Sequence, residues 1–316
     1  MLLYLILFVL LLASELFFFK LADYFNIIDK PNHRSSHTKV TIRGGGLIFY
    51  VGVMLYFLVF GFEYPWFFAG LTLIAGISFV DDVKPSPSWL RLIVQFVAMG
   101  LMFNQWGLYE LPWFFTVLAL VFCTGVLNAY NFMDGINGIT GGYSFIVVAS
   151  LWYINTFQHT FVDNNLIYTL LLAILVFNFF NFRKKAKCFA GDVGAIAMAF
   201  ILVFLLGQLM LKTQDFSYIM LLAVYGVDTI LTIIHRLKLR ENIFEAHRKH
   251  LFQIMANELK MPHLVVSSIY MLVQGIIAVG LVLSPNRLLY SILILSILSA
   301  VYLLFMRKYF KLHLVK

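Results

Sequence analysis

The sequence predicts an all-α, polytopic membrane protein of about eleven transmembrane helices, with its N-terminus outside and its C-terminus cytoplasmic. Composition comes first: of 316 residues 62% are hydrophobic, 17% aromatic and only 12% charged, with a mean hydropathy of +0.90. A soluble domain needs a polar shell that this composition does not supply. Second, apolar runs near the roughly 20 residues that cross a hydrocarbon layer recur along the whole chain. Third, with the N-terminus outside, the inside segments collect every Lys and Arg of the 23 except Lys212 and Arg287. Short cytoplasmic loops accumulate such cations.

The runs lie near 1–20, 44–61, 64–80, 89–106, 112–128, 141–157, 164–181, 193–211, 216–235, 263–283 and 286–306, an odd number that agrees with N-out, C-in. The first lacks a basic leader and a small-x-small cleavage site, so it reads as a span and not a signal peptide. Gly45, Gly46, Gly125 and Gly207 sit in or at the start of runs, where small residues allow close helix packing. Cys123 falls mid-span and Cys188 in an inside loop, too far apart for a disulfide. The net charge of +8 is a matter of topology and attraction to anionic lipid. No basic domain stands behind it, so no nucleic-acid partner is expected. The chain is one integral-membrane domain over 1–316, with cytoplasmic loops at 21–43, 81–91, 128–141, 182–192 and 236–262.

Those loops hold the chemistry. The first, from Asp29 to Gly46, mixes the cations Arg34 and Arg43 with hydroxyls and three glycines. Such a composition binds phosphate through charge and exposed N–H groups, or else anchors the loop to the membrane and gives a flexible start to the next helix. Asp81 and Asp82 close the third span. Adjacent carboxylates repel, so they persist where a cation offsets them or where one holds a proton; a solvated loop pair is the alternative. Asn128, Asn131, Asp134 and Asn137 are spaced three apart and would form one polar stripe on helical backbone, with Gly135 and Gly138 letting a ligand approach. Asp192, in Phe189-Ala-Gly-Asp-Val-Gly194, is either a helix cap or a ligand for a hard cation. His247 and His250, with Arg248 and Lys249, share a helical face and suit a pyrophosphate better than zinc, for which no further Cys or His stands nearby. Asp228, within the ninth span, is costly unless paired, with His235 or Arg236 as the expected partner. Glu15 and Lys20 are expected to snorkel toward the interface.

Taken in order, Asp81-Asp82, Asn-Ala-x-Asn-Phe-x-Asp-Gly-x-Asn-Gly, Phe-x-Gly-Asp-x-Gly and a His/Arg loop before the last two spans resemble the polyprenyl-phosphate N-acetylhexosamine-1-phosphate transferases. The resemblance runs from Asp29 to about Gln253. His247-Arg-Lys-His250 with Gln253, and Pro31-Asn-x-Arg-Ser-Ser-His37, are similar to the branch that initiates O-antigen or capsule chains. It implies transfer of an N-acetylhexosamine-1-phosphate from a UDP-N-acetylhexosamine to polyprenyl (undecaprenyl) phosphate with release of UMP, at the cytoplasmic face of a bacterial inner membrane. It also implies Mg²⁺, with Mn²⁺ as a substitute, held by Asp192 and Asn131.

On the same resemblance Asp81, Asp82 and Asp192 are the catalytic positions. Asn128, Asp134, Asn137, Arg91, His247, Arg248, His250, Arg34 and Arg43 bind substrate. Direct attack by the lipid phosphate and a phospho-aspartate on Asp81 or Asp192 both stay open, as do the identity of the hexosamine and a homodimer. The chain departs from the family pattern at Pro85, which replaces a third acid, at Asn137, which replaces a second Asp, and at Lys184-Lys185-Ala186, which replaces Pro-Pro-Ala. The family's His-x-His-His form is absent, which argues against the cell-wall translocase. A lipid-linked sugar flippase or other transporter is the rival reading, and it calls for polar residues near mid-bilayer, where Asp228 is the main candidate.

Overall fold

The computed structural model describes residues 1–29, 40–243 and 247–310. Helix α1 (Leu2–Tyr24) leads into a two-stranded antiparallel ribbon, β1 (Ile28–Asp29) and β2 (Thr41–Ile42), with Ile28 opposite Ile42. Then follow α2 (Leu47–Phe60), α3 (Pro65–Val83), α4 (Ser88–Gln105), α5 (Trp113–Met133), α6 (Ile139–Phe157), α7 (Asn164–Asn181), α8 (Gly191–Thr213), α9 (Ala223–Lys238), the short α10 (Leu251–Gln253), α11 (His263–Leu283) and α12 (Arg287–Arg307). Every predicted apolar run falls on a helix. Among the described residues eight helical stretches are long and apolar enough to cross a membrane; α2, with 14 residues, is shorter, and α4 and α6 do not reach the same apolarity. The ribbon departs from the all-α expectation. Two residues per strand are too few for an alternating pattern to show in the sequence.

The helices run alternately, which the contacts at their ends demonstrate. At one end Tyr4 bonds Asn165, the Tyr64 hydroxyl accepts from Asp163 N, Trp66 N donates to Gln105, and Arg287 pairs with Asp215. At the other end lie Arg43, Asp82, Arg91, Asp134, Asn181 and Asp192, all in contact or within electrostatic reach of one another's segments. Arg183 and Lys187 lay their cations over the rings of Phe179, Phe180 and Phe19 on this same end. That is how long basic side chains settle at a membrane surface.

Helix α8 is the axis, with nearly nine-tenths of its apolar stretch inside the protein, while α12 and α5 turn most of their surface outward. In a bilayer an all-round apolar helix is satisfied either way, so burial of α8 comes from its small residues. Gly46 lies on Gly194 so closely that a Cβ on either would strike the other's backbone. Gly45 N and Gly46 N donate to the carbonyls of Phe189 and Ala190, and Phe189 N donates to Ile42 O. The glycine run is therefore neither an open phosphate cradle nor a flexible helix start. Its amides are used in fixing α2 against the start of α8.

The segment Phe216–Leu222 is a tight 3₁₀ turn that passes into α9. Backbone groups freed at such a break need partners inside a membrane protein. Gln274 of α11 supplies them, donating to Met220 O and accepting from Val224 N, and the Tyr143 hydroxyl donates to the same amide oxygen.

Replacing Gly46 by Ala should lower thermal stability in detergent by about 1–3 kcal/mol, the usual cost of overpacking. Ala at Gly125, where an added Cβ meets nothing, should leave the melting temperature within a degree or two. Equal melting of the two variants would refute the close packing.

Candidate active site

Asp82 sits at the end of α3 with its side chain fully buried, and it is the hub of the polar end. Its Oδ1 accepts from Asp192 N at 2.9 Å and its Oδ2 from Val193 N at 3.0 Å. These are orphan N–H groups of the first turn of α8, so Asp82 caps that helix from a different helix. Arg43 Nε lies 2.6 Å from Asp82 Oδ1. The cap reading of Asp192 is thus corrected: Asp82 does the capping, and Asp192 is left to face the site. Gly191 takes φ +71° at this point, and a Cβ there would meet Asp82 Oδ2 at 2.5 Å. A side chain has no room and the backbone conformation suits glycine alone.

Two guanidiniums lace three carboxylates together. Arg43 Nη2 donates to Asp192 Oδ1 at 3.1 Å, while Arg91 Nη1 donates to Asp81 Oδ2 at 2.8 Å and stands 3.6 Å from Asp192 Oδ2. Asp81 Oδ1 accepts Ser86 N at 2.6 Å, which pins the Pro85–Pro87 turn so that Arg91, one turn into α4, points back at the pair. Asp192 keeps 18% of its side chain exposed and Asp81 10%, against none for Asp82. Asp81 and Asp192 therefore face the aqueous side and Asp82 supports them from behind. Their donors are hard oxygens opposite one shared cation, a set that suits Mg²⁺ completed by water and phosphate oxygens. Among the described residues no three His, Cys, Asp or Glu side chains form a closed metal site.

The Asn/Asp segment differs from the expected stripe. Helix α5 ends at Met133, so Asn128 and Asn131 are on helix while Asp134 and Asn137 are in the turn beyond it. Asn128 is exposed and donates to Thr124 O of its own helix. Asn131 is half-buried, two residues from the chain reversal. Asn137 Nδ2 donates to Arg183 O at 2.9 Å and Lys184 O at 3.4 Å, its backbone N–H reaches His263 Nδ1, and its carbonyl accepts from Ser267. It clamps its own turn to the 183–184 segment and to the first turns of α11. Asp134 accepts Thr140 Oγ1 at 2.6 Å, and burial pushes its carboxyl up to about 6, with Asp82 adding repulsion and Thr140 and Arg43 opposing. Asp134 thus belongs electrostatically to the Asp82 cluster.

The histidine loop approaches the same turn from the other flank. His247 and His250 have rings 4.8 Å apart, and each lies 6.3–6.4 Å from the Phe132 ring. They do not share a helical face, because α10 begins only at Leu251. Burial, then the neighbouring His250, Arg236 and Lys249, hold His247 down at about 3, so it is a neutral imidazole. Glu241 fastens this loop by binding both Arg236 (3.1 Å) and Lys249. Arg248 is half-buried, and Arg34 lies outside the described residues.

Residues 64–210, which carry the Asp81-Asp82, Asn128–Asn137 and Asp192 motifs in this arrangement, match glycosyl transferase family 4. The chain is 25% identical over 252 residues to a probable undecaprenyl-phosphate N-acetylglucosaminyl 1-phosphate transferase of Bacillus subtilis, covering 73% of this chain and 70% of the relative. It is 24% identical over 273 residues (77% and 74%) to the undecaprenyl-phosphate alpha-N-acetylglucosaminyl 1-phosphate transferase of Escherichia coli K12. The Salmonella typhi protein of the same name is 25% identical over 262 residues (75% and 71%).

Two features of the site's surroundings escaped the sequence. Asp228 pairs with His250, not with His235 or Arg236, since α9 turns its carboxylate toward the 247–251 loop. Glu15 does not snorkel: it is buried on α1 and accepts from the Cys188 thiol at 3.6 Å. Both cysteines are free and buried. A polar residue alone in an apolar run gives no clue to which distant loop will meet it.

Asp134 makes stability depend on pH in a definite direction. Below about pH 4 its carboxyl is protonated in both folded and unfolded chains. As pH rises through about 6 the folded state must ionise it against burial, so stability falls over that window by about 2 kcal/mol, discounted for partial exposure. Asp134→Asn, which still accepts from Thr140, should flatten this dependence and melt higher than the parent at pH 7.5 in detergent. A variant as pH-sensitive as the parent would contradict the assignment.

Proposed function

We propose that the protein transfers an N-acetylhexosamine-1-phosphate from a UDP-N-acetylhexosamine to polyprenyl phosphate, yielding polyprenyl-diphosphate-sugar and UMP, as the first membrane step of a bacterial cell-surface polysaccharide such as an O-antigen. The observation that carries this reading is the bracing of Asp81, Asp82 and Asp192 by Arg43 and Arg91 at one end of the helix bundle. Phosphoryl transfer needs charges fixed in advance around a diphosphate more than it needs covalent chemistry by the protein. The relatives' names supply the substrate class, and the concentration of Lys and Arg on the loops of that end supports a cytoplasmic site, an N-out topology and eleven crossings.

In this reading the partly exposed Asp192, with Asn131, holds Mg²⁺ or Mn²⁺, which neutralises diphosphate charge when bound. Arg43 and Arg91, each touching two of the three carboxylates, keep those carboxylates close together. As the diphosphate arrives, the guanidiniums have N–H groups to offer its oxygens. Asp81 is the exposed member of the Asp81-Asp82 pair and takes the proton of the lipid phosphate as that oxygen attacks the β-phosphorus. Asp82, buried and saturated, holds Asp192 in place. Neutral His247 and the cation Arg248 meet the sugar and diphosphate from the opposite flank. The transporter reading loses its main support, because Asp228 is engaged by Thr232, His250, Leu251 N and Tyr270.

Purified protein given undecaprenyl phosphate and a panel of UDP-sugars should release UMP with at least one N-acetylhexosamine. Chelation should stop release, and Mg²⁺ should restore it. Asp192→Asn should lose activity at least about a hundredfold while its melting temperature stays near the parent's. Substantial turnover by that variant, or turnover in excess chelator, would reject the metal role.

A further inference from the structure

We propose that Asp228 is a positioning residue that presents His250 to the nucleotide sugar. The inference rests on the function proposed above. His250 is 1% exposed, and its two ring nitrogens have opposite surroundings. Nδ1 lies 3.3 Å from Asp228 Oδ1, while Nε2 is buried with no hydrogen-bond partner among the described residues. A buried ring nitrogen left unpaired costs free energy, and where it borders a site the natural remedy is a ligand atom.

The network around Asp228 fixes which nitrogen is which. Leu251 N donates to Oδ1 at 2.9 Å, Thr232 Oγ1 to Oδ1 at 3.2 Å and the Tyr270 hydroxyl to Oδ2 at 2.7 Å. Every protein group on the carboxylate is a donor, so it accepts from His250 as well, and the ring carries its proton at Nδ1. Nε2 is then the free face of the ring. With Phe252 beside it at 5.8 Å, His247 at 4.8 Å and Phe132 at 6.3 Å, the imidazole has little freedom to turn. With its proton on Nδ1 facing Asp228, the ring offers the Nε2 lone pair to a hydroxyl that donates to it. The arrangement follows the principle by which a carboxylate behind a histidine sets its tautomer and direction. The ligand group is a sugar hydroxyl of the UDP-sugar, and Asp228 touches none of it.

A double-mutant cycle tests this. Asp228→Asn should lower kcat/KM for the UDP-sugar at least tenfold, leaving KM for polyprenyl phosphate unchanged. His250→Gln should lose as much or more. Because Asp228 acts through His250, adding Asp228→Asn to His250→Gln should cost nothing further. Tyr270→Phe, a milder change that keeps the carboxylate, should lose a few-fold in the parent background and nothing in the His250→Gln background; it serves where Asp228→Asn does not fold. Losses that multiply in the double variants, or an Asp228→Asn enzyme as fast as the parent, would overturn the inference. Failure of the parent enzyme to release UMP from any UDP-sugar would instead reject the underlying function.

Discussion

The capping of α8 by a carboxylate from α3 is the joint on which the polar end depends. One side chain, Asp82, closes two backbone N–H groups of α8 and accepts Arg43 from the glycine-rich segment before α2, so three parts of the chain meet on two oxygens. Removing a partner from so buried an ion pair leaves an uncompensated charge, typically at a cost of 3–5 kcal/mol. The capping also decides what Asp192 does. A carboxylate at the first turn of a helix would ordinarily serve its own N–H groups; with those taken, it projects to Arg43, Arg91 and the aqueous face. The glycines at 45, 46, 191 and 194 are the steric condition for this joint, since side chains there would push the packed segments apart.

Around the joint, charge is arranged from saturated to available. Asp82 is closed on all sides, Asp81 is held by Arg91 and Ser86 N, and Asp192 is braced by guanidiniums that can also bond a phosphate. Asp134 adds a fourth acid that burial keeps reluctant to ionise. Such a cluster is poor for stability, and a protein that needed only to fold would gain by neutralising it. Its presence beside two arginines fits the proposed binding of a cation together with a diphosphate.

The helices were legible in the sequence because lipid forces an apolar run of fixed length, and the loops that would meet were legible because polar residues collected at the ends of alternate runs. Partners were not legible. The spacing of Asn128, Asn131, Asp134 and Asn137 fits a helical stripe, yet the Gly135 and Gly138 that flank it favour a chain reversal, and the turn won. Glu15 and Asp228 read as isolated charges in apolar helices; their partners, Cys188 and His250, lie far along the chain. Periodicity reports which face of a helix is polar. It does not report which loop will cover that face.

Local bonding explains why an amide and not an acid stands at Asn137. A carboxylate at that position would only accept hydrogen bonds, whereas the Asn137 amide donates to two carbonyls, those of Arg183 and Lys184. Those carbonyls open the Arg183–Ala186 segment, which holds no proline to stiffen it. An amide that ties down the carbonyls of residues 183 and 184 supplies from across the fold what proline would impose locally. Asn137 thus shapes the rim of the site, while the charged centre is built by Asp81, Asp82 and Asp192 with Arg43 and Arg91.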